Sequence, residues 1–126
     1  MKNIQKKYGL SLILLHGSNV TDKIHNKSDI DIAVVRKNPN KKLDFLALLY
    51  DLKKEFKSDN IDLADITHAN PLFLYAVMRK SKLLSGKKDD YEKILNLAFH
   101  KYSDYLPYLK KESKFIRERV NSYVTS

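Results

Sequence analysis

Apolar and polar positions divide the chain into short segments of two kinds. Leu10-Ser-Leu-Ile-Leu-Leu-His16 is a compact apolar run of strand length, stopped by Gly17-Ser18. Asp29-Ile-Asp-Ile-Ala-Val-Val35 alternates acid with isoleucine and then turns wholly apolar, which predicts a second strand with one polar end. Ile61-Asp-Leu-Ala-Asp-Ile66 alternates again and predicts a third. Between the last two, Phe45, Leu48, Leu49, Leu52 and Phe56 recur at helical spacing, so residues 42–57 are predicted to form an amphipathic helix. Asn70-Pro71 sets a good cap before proline at the first helical position, opening a helix that runs to about Arg79. A short basic helix over residues 2–8, ended by Gly9, and a brief edge strand at Leu83-Leu84 complete the pattern.

From Asp89 onward, Leu95, Phe99, Tyr102, Leu106 and Leu109 form one helical stripe, with Pro107 expected to kink or divide it. Residues 19–28 are polar and without period, with room for one helical turn behind Ser18 and then a loop. The predicted fold class is therefore α/β (α+β): a small mixed sheet flanked by helices, with a helical C-terminal third.

The chain has 126 residues, the size of one domain, and its 43% hydrophobic content argues against disorder. There is no cysteine, which excludes disulfides, thiolate catalysis and cysteine-based zinc sites together. The longest apolar run, Leu72 to Met78, falls far short of the ~20 residues that span a bilayer. Lys2, Lys6 and Lys7 precede Leu10–Leu15 as in a secretory signal, but that segment is too short and no small-x-small cleavage site follows. A soluble, cytoplasmic protein with no membrane partner is expected. Twenty-four Lys and Arg against 15 Asp and Glu leave a net charge of +9, which attracts phosphates, nucleotides, nucleic acid or an acidic protein without choosing among them.

The candidate chemistry lies in Gly17-Ser18, ten further residues, and then Asp29-Ile30-Asp31. Side chains at i and i+2 of a strand leave the same face roughly 6.6 Å apart, so Asp29 and Asp31 point the same way. Converging carboxylates repel by about 4 kcal/mol at ~4 Å and an effective dielectric near 20. A hard cation turns that repulsion into attraction, and oxygen donors suit Mg²⁺ or Mn²⁺. The same spacing also describes a strand start that merely faces water. Gly17 allows close approach of a phosphate, and Ser18 can cap the next turn with its amides aimed at an anion; a plain strand-to-loop turn has the same two residues. Asp62 follows the intervening helix and can lie beside Asp31 across the sheet, whereas Asp65, three residues on, is expected to be an exposed strand-end acid facing the other side.

Gly-Ser, nine residues, Ser-Asp-Ile-Asp-Ile, a helix, and Ile-Asp-Leu-Ala-Asp-Ile together resemble the nucleotidyltransferase superfamily. More narrowly they resemble its minimal MNT-type branch, similar in its core to kanamycin nucleotidyltransferase. The resemblance covers about residues 8–86, so the chain reads as a single nucleotidyltransferase-like domain, 1–126, with a helical extension over about 89–124. It implies two divalent ions, Mg²⁺ or Mn²⁺, held by Asp29, Asp31 and Asp62, which would also be the catalytic residues. Gly17 and Ser18 would grip the triphosphate of ATP. It further implies transfer of a nucleoside monophosphate to a hydroxyl with release of pyrophosphate. Many such proteins are antitoxins encoded beside a HEPN-domain toxin, a ribonuclease, which they inactivate by adenylylating a tyrosine. Family members commonly carry arginine just after Gly-Ser; this chain has Asn19-Val20-Thr21-Asp22-Lys23, and lysine offers a point charge in place of arginine's fork.

The main expectation is thus a Mg²⁺-dependent enzyme that moves AMP from ATP to a tyrosine of a partner HEPN toxin. Its rivals are transfer to a small molecule such as an aminoglycoside, neutralisation of the partner by binding alone, and nucleic-acid binding by charge; nucleic acid is not the expected substrate. His16, His25, His68 and His100 show no metal-ligand spacing and read as structural or solvated, with contact to a phosphate as the alternative for His16, which adjoins Gly17. The basic stretch Lys110–Arg119 reads as a solvated helix face, with a docking surface for an acidic toxin or its RNA as the alternative. The tyrosines from Tyr91 to Tyr123 read as packing residues, with base stacking as theirs.

Overall fold

Strands that read as unbroken apolar runs need cover on both faces, and the chain supplies that cover with helices. The computed structural model describes residues 1–17 and 29–125. Its elements are α1 (Lys2–Lys7), β1 (Leu10–His16), β2 (Ile30–Arg36), α2 (Phe45–Phe56), β3 (Ile61–Asp65), α3 (Pro71–Met78), β4 (Ser81–Gly86) and α4 (Lys88–Thr125). The strands form one mixed sheet in the order β3-β2-β1-β4. β1 runs antiparallel to β2 and β4, while β2 and β3 are parallel. A parallel pair requires a crossover, and α2 provides it.

Ile13 and Leu15 of β1, with Ile30, Ile32 and Val34 of β2 and Leu63 of β3, pack under Leu48 and Leu52 of α2. The opposite face presents Leu12, Leu14, Ala33 and Val35 to Leu74, Val77 and Met78 of α3 and to Ala98 of α4. Period two thus sorts the apolar residues of the central strands to one of two cores.

Local chemistry sets the boundaries. Gly9 adopts φ +61° between α1 and β1, as expected of a glycine that ends a helix. The second helix begins three residues later than predicted, because the Asp44 carboxylate accepts the Ala47 N–H at 3.2 Å and caps it there. Asn70 caps α3 as expected, accepting the Phe73 N–H at 2.9 Å, with Pro71 at the first helical position. Replacing Asn70 by alanine is expected to cost about 1 kcal/mol, read as a lower urea midpoint at unchanged slope.

Two expectations are corrected. The edge strand is six residues long, because Ser81, Lys82, Ser85 and Gly86 also pair with β1. Of the two effects expected of Pro107, a kink or a division of the last helix, division does not occur: the helix runs for 38 residues with Pro107 inside it. Both Pro107 and Ser103, whose carbonyl loses its helical donor, are exposed, so water can satisfy that carbonyl. At 1.5 Å per residue α4 extends ~57 Å, against ~23 Å for a seven-residue strand, so much of it lies beyond the sheet. Its near half is held by Ala98, by Ile94 and Leu95, and by Tyr102 stacked on Tyr75 at 3.8 Å between ring centres. Among the described residues no helix is long and apolar enough to cross a membrane.

Candidate active site

The strand register builds the site. Leu14, Ala33 and Ala64 occupy the face turned to α3 and α4 on three adjacent strands, with Leu14 opposite Ala33 and Ala33 opposite Ala64. Two residues along each strand on that same face come His16, Asp31 and Asp62, again paired in register: His16 with Asp31, Asp31 with Asp62. Ser81 of β4 pairs with His16 and ends the row. Asp62 therefore stands beside Asp31 at the strand spacing of ~4.8 Å. Asp29 immediately precedes β2 and is exposed, as is Asp62, while Asp31 is half-buried.

The β4 end of this row is anchored. Ser81 Oγ donates to the Met78 carbonyl at 2.8 Å and lies 2.7 Å from the Tyr91 hydroxyl, which ties α4 to β4. Gly17 turns at φ +81°, and its N–H donates to the Lys80 carbonyl at 3.1 Å. A Cβ at Gly17 would lie 2.5 Å from Asp31 Oδ2, so glycine leaves that carboxylate open.

Burial pushes the Asp31 carboxyl above the ordinary aspartate range; Asp62 and Asp29 push the same way through like charge, and His16 opposes them. His16 is held below the usual imidazole value by burial, against the pull of Asp31 and Asp62. The row is thus a place where negative charge is costly without a counter-charge. Among the described residues no three His, Asp or Glu side chains are placed to hold a metal ion by themselves. The donor set nonetheless fits a magnesium-like ion, which takes one or two carboxylates together with substrate phosphates and water rather than an all-protein cage.

Of the residues singled out in the sequence, the structure brings Asp31 and Asp62 into one register, with Asp29 adjoining and Gly17 against Asp31. Ser18, Lys23, His25 and the expected turn over 19–28 lie outside the described residues. Asp65 faces away from Asp62 as its spacing predicts, but it is not simply an exposed acid. It is half-buried and pairs with Arg36 Nε at 2.8 Å, and its Oδ1 accepts the Thr67 N–H at 3.1 Å. That Nε makes no aligned hydrogen bond, so the contact is ionic. His16, read from the sequence as a structural or solvated residue with a phosphate contact as the alternative, is placed by the structure beside Asp31 in the row. Its parity with Leu12 and Leu14 is the signal that could have found it.

An acidic row on a mixed sheet, beside a glycine turn at the strand end, defines the class as a nucleotidyltransferase. The chain belongs to the polymerase beta nucleotidyltransferase family, which it matches over residues 1–90. No curated protein is significantly similar in sequence. Among solved structures, the chain is similar to one of a toxin–antitoxin complex with AMP-PNP, at 26% identity and TM-score 0.69, over 94% of each chain. It is similar to one of an MntA–HepT toxin–antitoxin complex at 28% identity and TM-score 0.63, over 94% of this chain and 92% of that one. A third is a tri-AMPylated HEPN toxin of Shewanella oneidensis in complex with MNT antitoxin, at 27% identity and TM-score 0.63, over 95% and 88%.

Proposed function

We propose that this nucleotidyltransferase is an antitoxin that moves AMP from ATP to a tyrosine hydroxyl of a partner HEPN toxin. The observation that carries the chemistry is the in-register placement of Asp31 and Asp62 on one sheet face, with Asp29 beside them and Gly17 opening the Asp31 carboxylate. The partner and the nucleotide rest on similarity to complexes that contain an AMPylated HEPN toxin or AMP-PNP. A protein acceptor also suits the apolar surface left on α3 and α4, where Leu72, Phe73, Leu97 and Phe99 are exposed.

In this reading the acceptor oxygen attacks the α-phosphorus of ATP, a new P–O bond forms, and the bond to pyrophosphate breaks. Gly17 and Ser18 hold the triphosphate. Asp62, exposed beside Asp31, receives the hydroxyl proton. Asp29, Asp31 and Asp62 would hold divalent ions, Mg²⁺ or Mn²⁺, which supply a lowered hydroxyl pKa and neutralise charge on the leaving group.

Incubation with ATP, Mg²⁺ and the HEPN toxin, followed by intact mass, tests the reading. The expected result is a toxin heavier by one or more AMP units, lost when its acceptor tyrosine is changed to phenylalanine. An unmodified toxin that is nonetheless neutralised would replace transfer by occlusion.

A further inference from the structure

The end of the sheet opposite the acidic row carries a different charge. From Asp31 to Arg36 β2 rises ~17 Å, and at that end two open grooves lie on either side of Lys6 and Gly9. One, of about 410 Å³, lies between α1 and the start of α2 and is lined by Lys6, Lys7, Arg36, Lys41 and Lys42. The other, of about 540 Å³, lies between α1 and the end of β4 and is lined by Lys2, Lys6, Lys37 and Lys87. Lys6 and Gly9 line both, so the grooves are adjacent.

Two of these cations are committed within the fold: Lys7 to Asp51 at 2.9 Å, and Arg36 to Asp65. Lys2, Lys6, Lys37, Lys41, Lys42 and Lys87 are exposed, and none of the ion pairs found among the described residues engages them. The one acid lining either groove, Asp44, is occupied in capping α2. Six lysines without an ion pair among the described residues, spread around two adjacent grooves, form a surface for an extended polyanion rather than for a single phosphate.

We propose that this basic end binds the phosphodiester backbone of a nucleic acid strand, apart from the transfer site. The lining favours that occupant over an acidic protein. Protein interfaces centre on buried aromatic or aliphatic anchors, and among the described residues the apolar lining here is buried Leu10 with half-buried Tyr8, Leu43 and Ala47. Of these, Tyr8 is already packed on the core and tied by its hydroxyl to Asp51. A second copy of a chain with net charge +9 is repelled by the same lysines.

The test is fluorescence anisotropy of the full chain with a 20-nucleotide RNA and with DNA of the same sequence, at 50 and 200 mM NaCl. If four lysines each displace one counterion, affinity falls about 50-fold across that fourfold change in salt, from a slope of ~0.7 per phosphate. The double variant Lys6→Glu/Lys37→Glu is expected to weaken binding at 50 mM NaCl by at least about tenfold and to lower the slope by about 1.4. Transfer of AMP to the toxin stays unchanged in that variant, so loss of binding is distinguished from loss of fold and from failure of the transfer reading. Binding of either strand with this pattern supports the proposal, and the ratio between them tells whether a 2′-hydroxyl contributes. Two results overturn it. One is equal weakening by Lys101→Glu/Lys110→Glu on α4, which would mean that only overall charge matters. The other is polyglutamate of matched charge binding as tightly and with the same sensitivity to Lys6→Glu/Lys37→Glu, which would assign the grooves to an acidic protein.

Discussion

Replacing Asp31 by asparagine is expected to lower AMP transfer at least 10³-fold while making the protein, freed of divalent ions, more resistant to heat. Both effects come from the same carboxylate. Several kcal/mol of electrostatic stabilisation of the transferring phosphoryl group are lost with it, at ~1.36 kcal/mol per tenfold in rate. In the ion-free fold, however, burial and the charges of Asp62 and Asp29 hold the Asp31 carboxyl above its ordinary value. A carboxyl whose folded pKa is raised penalises folding once ionised. The penalty is absent below the unfolded pKa, grows as pH rises through the folded pKa, and is complete above it. The thermal advantage of Asp31→Asn in EDTA should therefore be greatest at neutral pH and vanish in acid. Thermal scans across pH, set beside transfer rates, check both halves. A variant that keeps near-normal transfer would remove the proposed mechanism, and one less stable than the parent at neutral pH would remove the electrostatic account of the row.

Gly17→Ala is expected to reduce transfer by about 10²-fold, the scale on which a misplacement of about 1 Å acts. The new methyl meets Asp31 Oδ2 at 2.5 Å, and φ +81° is a conformation that alanine adopts at a cost of about 1–2 kcal/mol. Either the carboxylate turns aside or the glycine turn shifts, and the turn is tied to Lys80 through its N–H. Unlike Asp31→Asn, this variant should lower stability in the same buffer. The pair thus separates loss of charge from loss of position. If Gly17→Ala proves both active and stable, the close approach of turn and carboxylate has no functional weight.

The acids themselves are legible in the alternation of Asp29-Ile30-Asp31-Ile32 and of Ile61-Asp62-Leu63, because a period of two assigns each acid a face from spacing alone. His16 is not legible in that way. It ends an apolar run beside a glycine, and only its pairing with Asp31 shows that it belongs to the same row. For Asp65 the spacing gives the correct face but not the surroundings, since its partner Arg36 ends a different strand and reaches it through the parallel pairing of β2 with β3. Pro107 has an intrinsic tendency to break a helix, yet the helix around it continues because that position and Ser103 face water.

By itself the sequence determined the kinds of element, the cap at Asn70 and the opposite faces of Asp62 and Asp65. All of these follow from local spacing and from the chemistry of single residues. The tertiary structure alone decided that β2 lies between β1 and β3, so that Asp31 is flanked by His16 on one side and Asp62 on the other. It also decided that the lysines near Arg36 collect at the far end of the sheet. Strand order is selected by how distant apolar faces bury one another, and a count of charges along a chain carries no record of where folding will gather them.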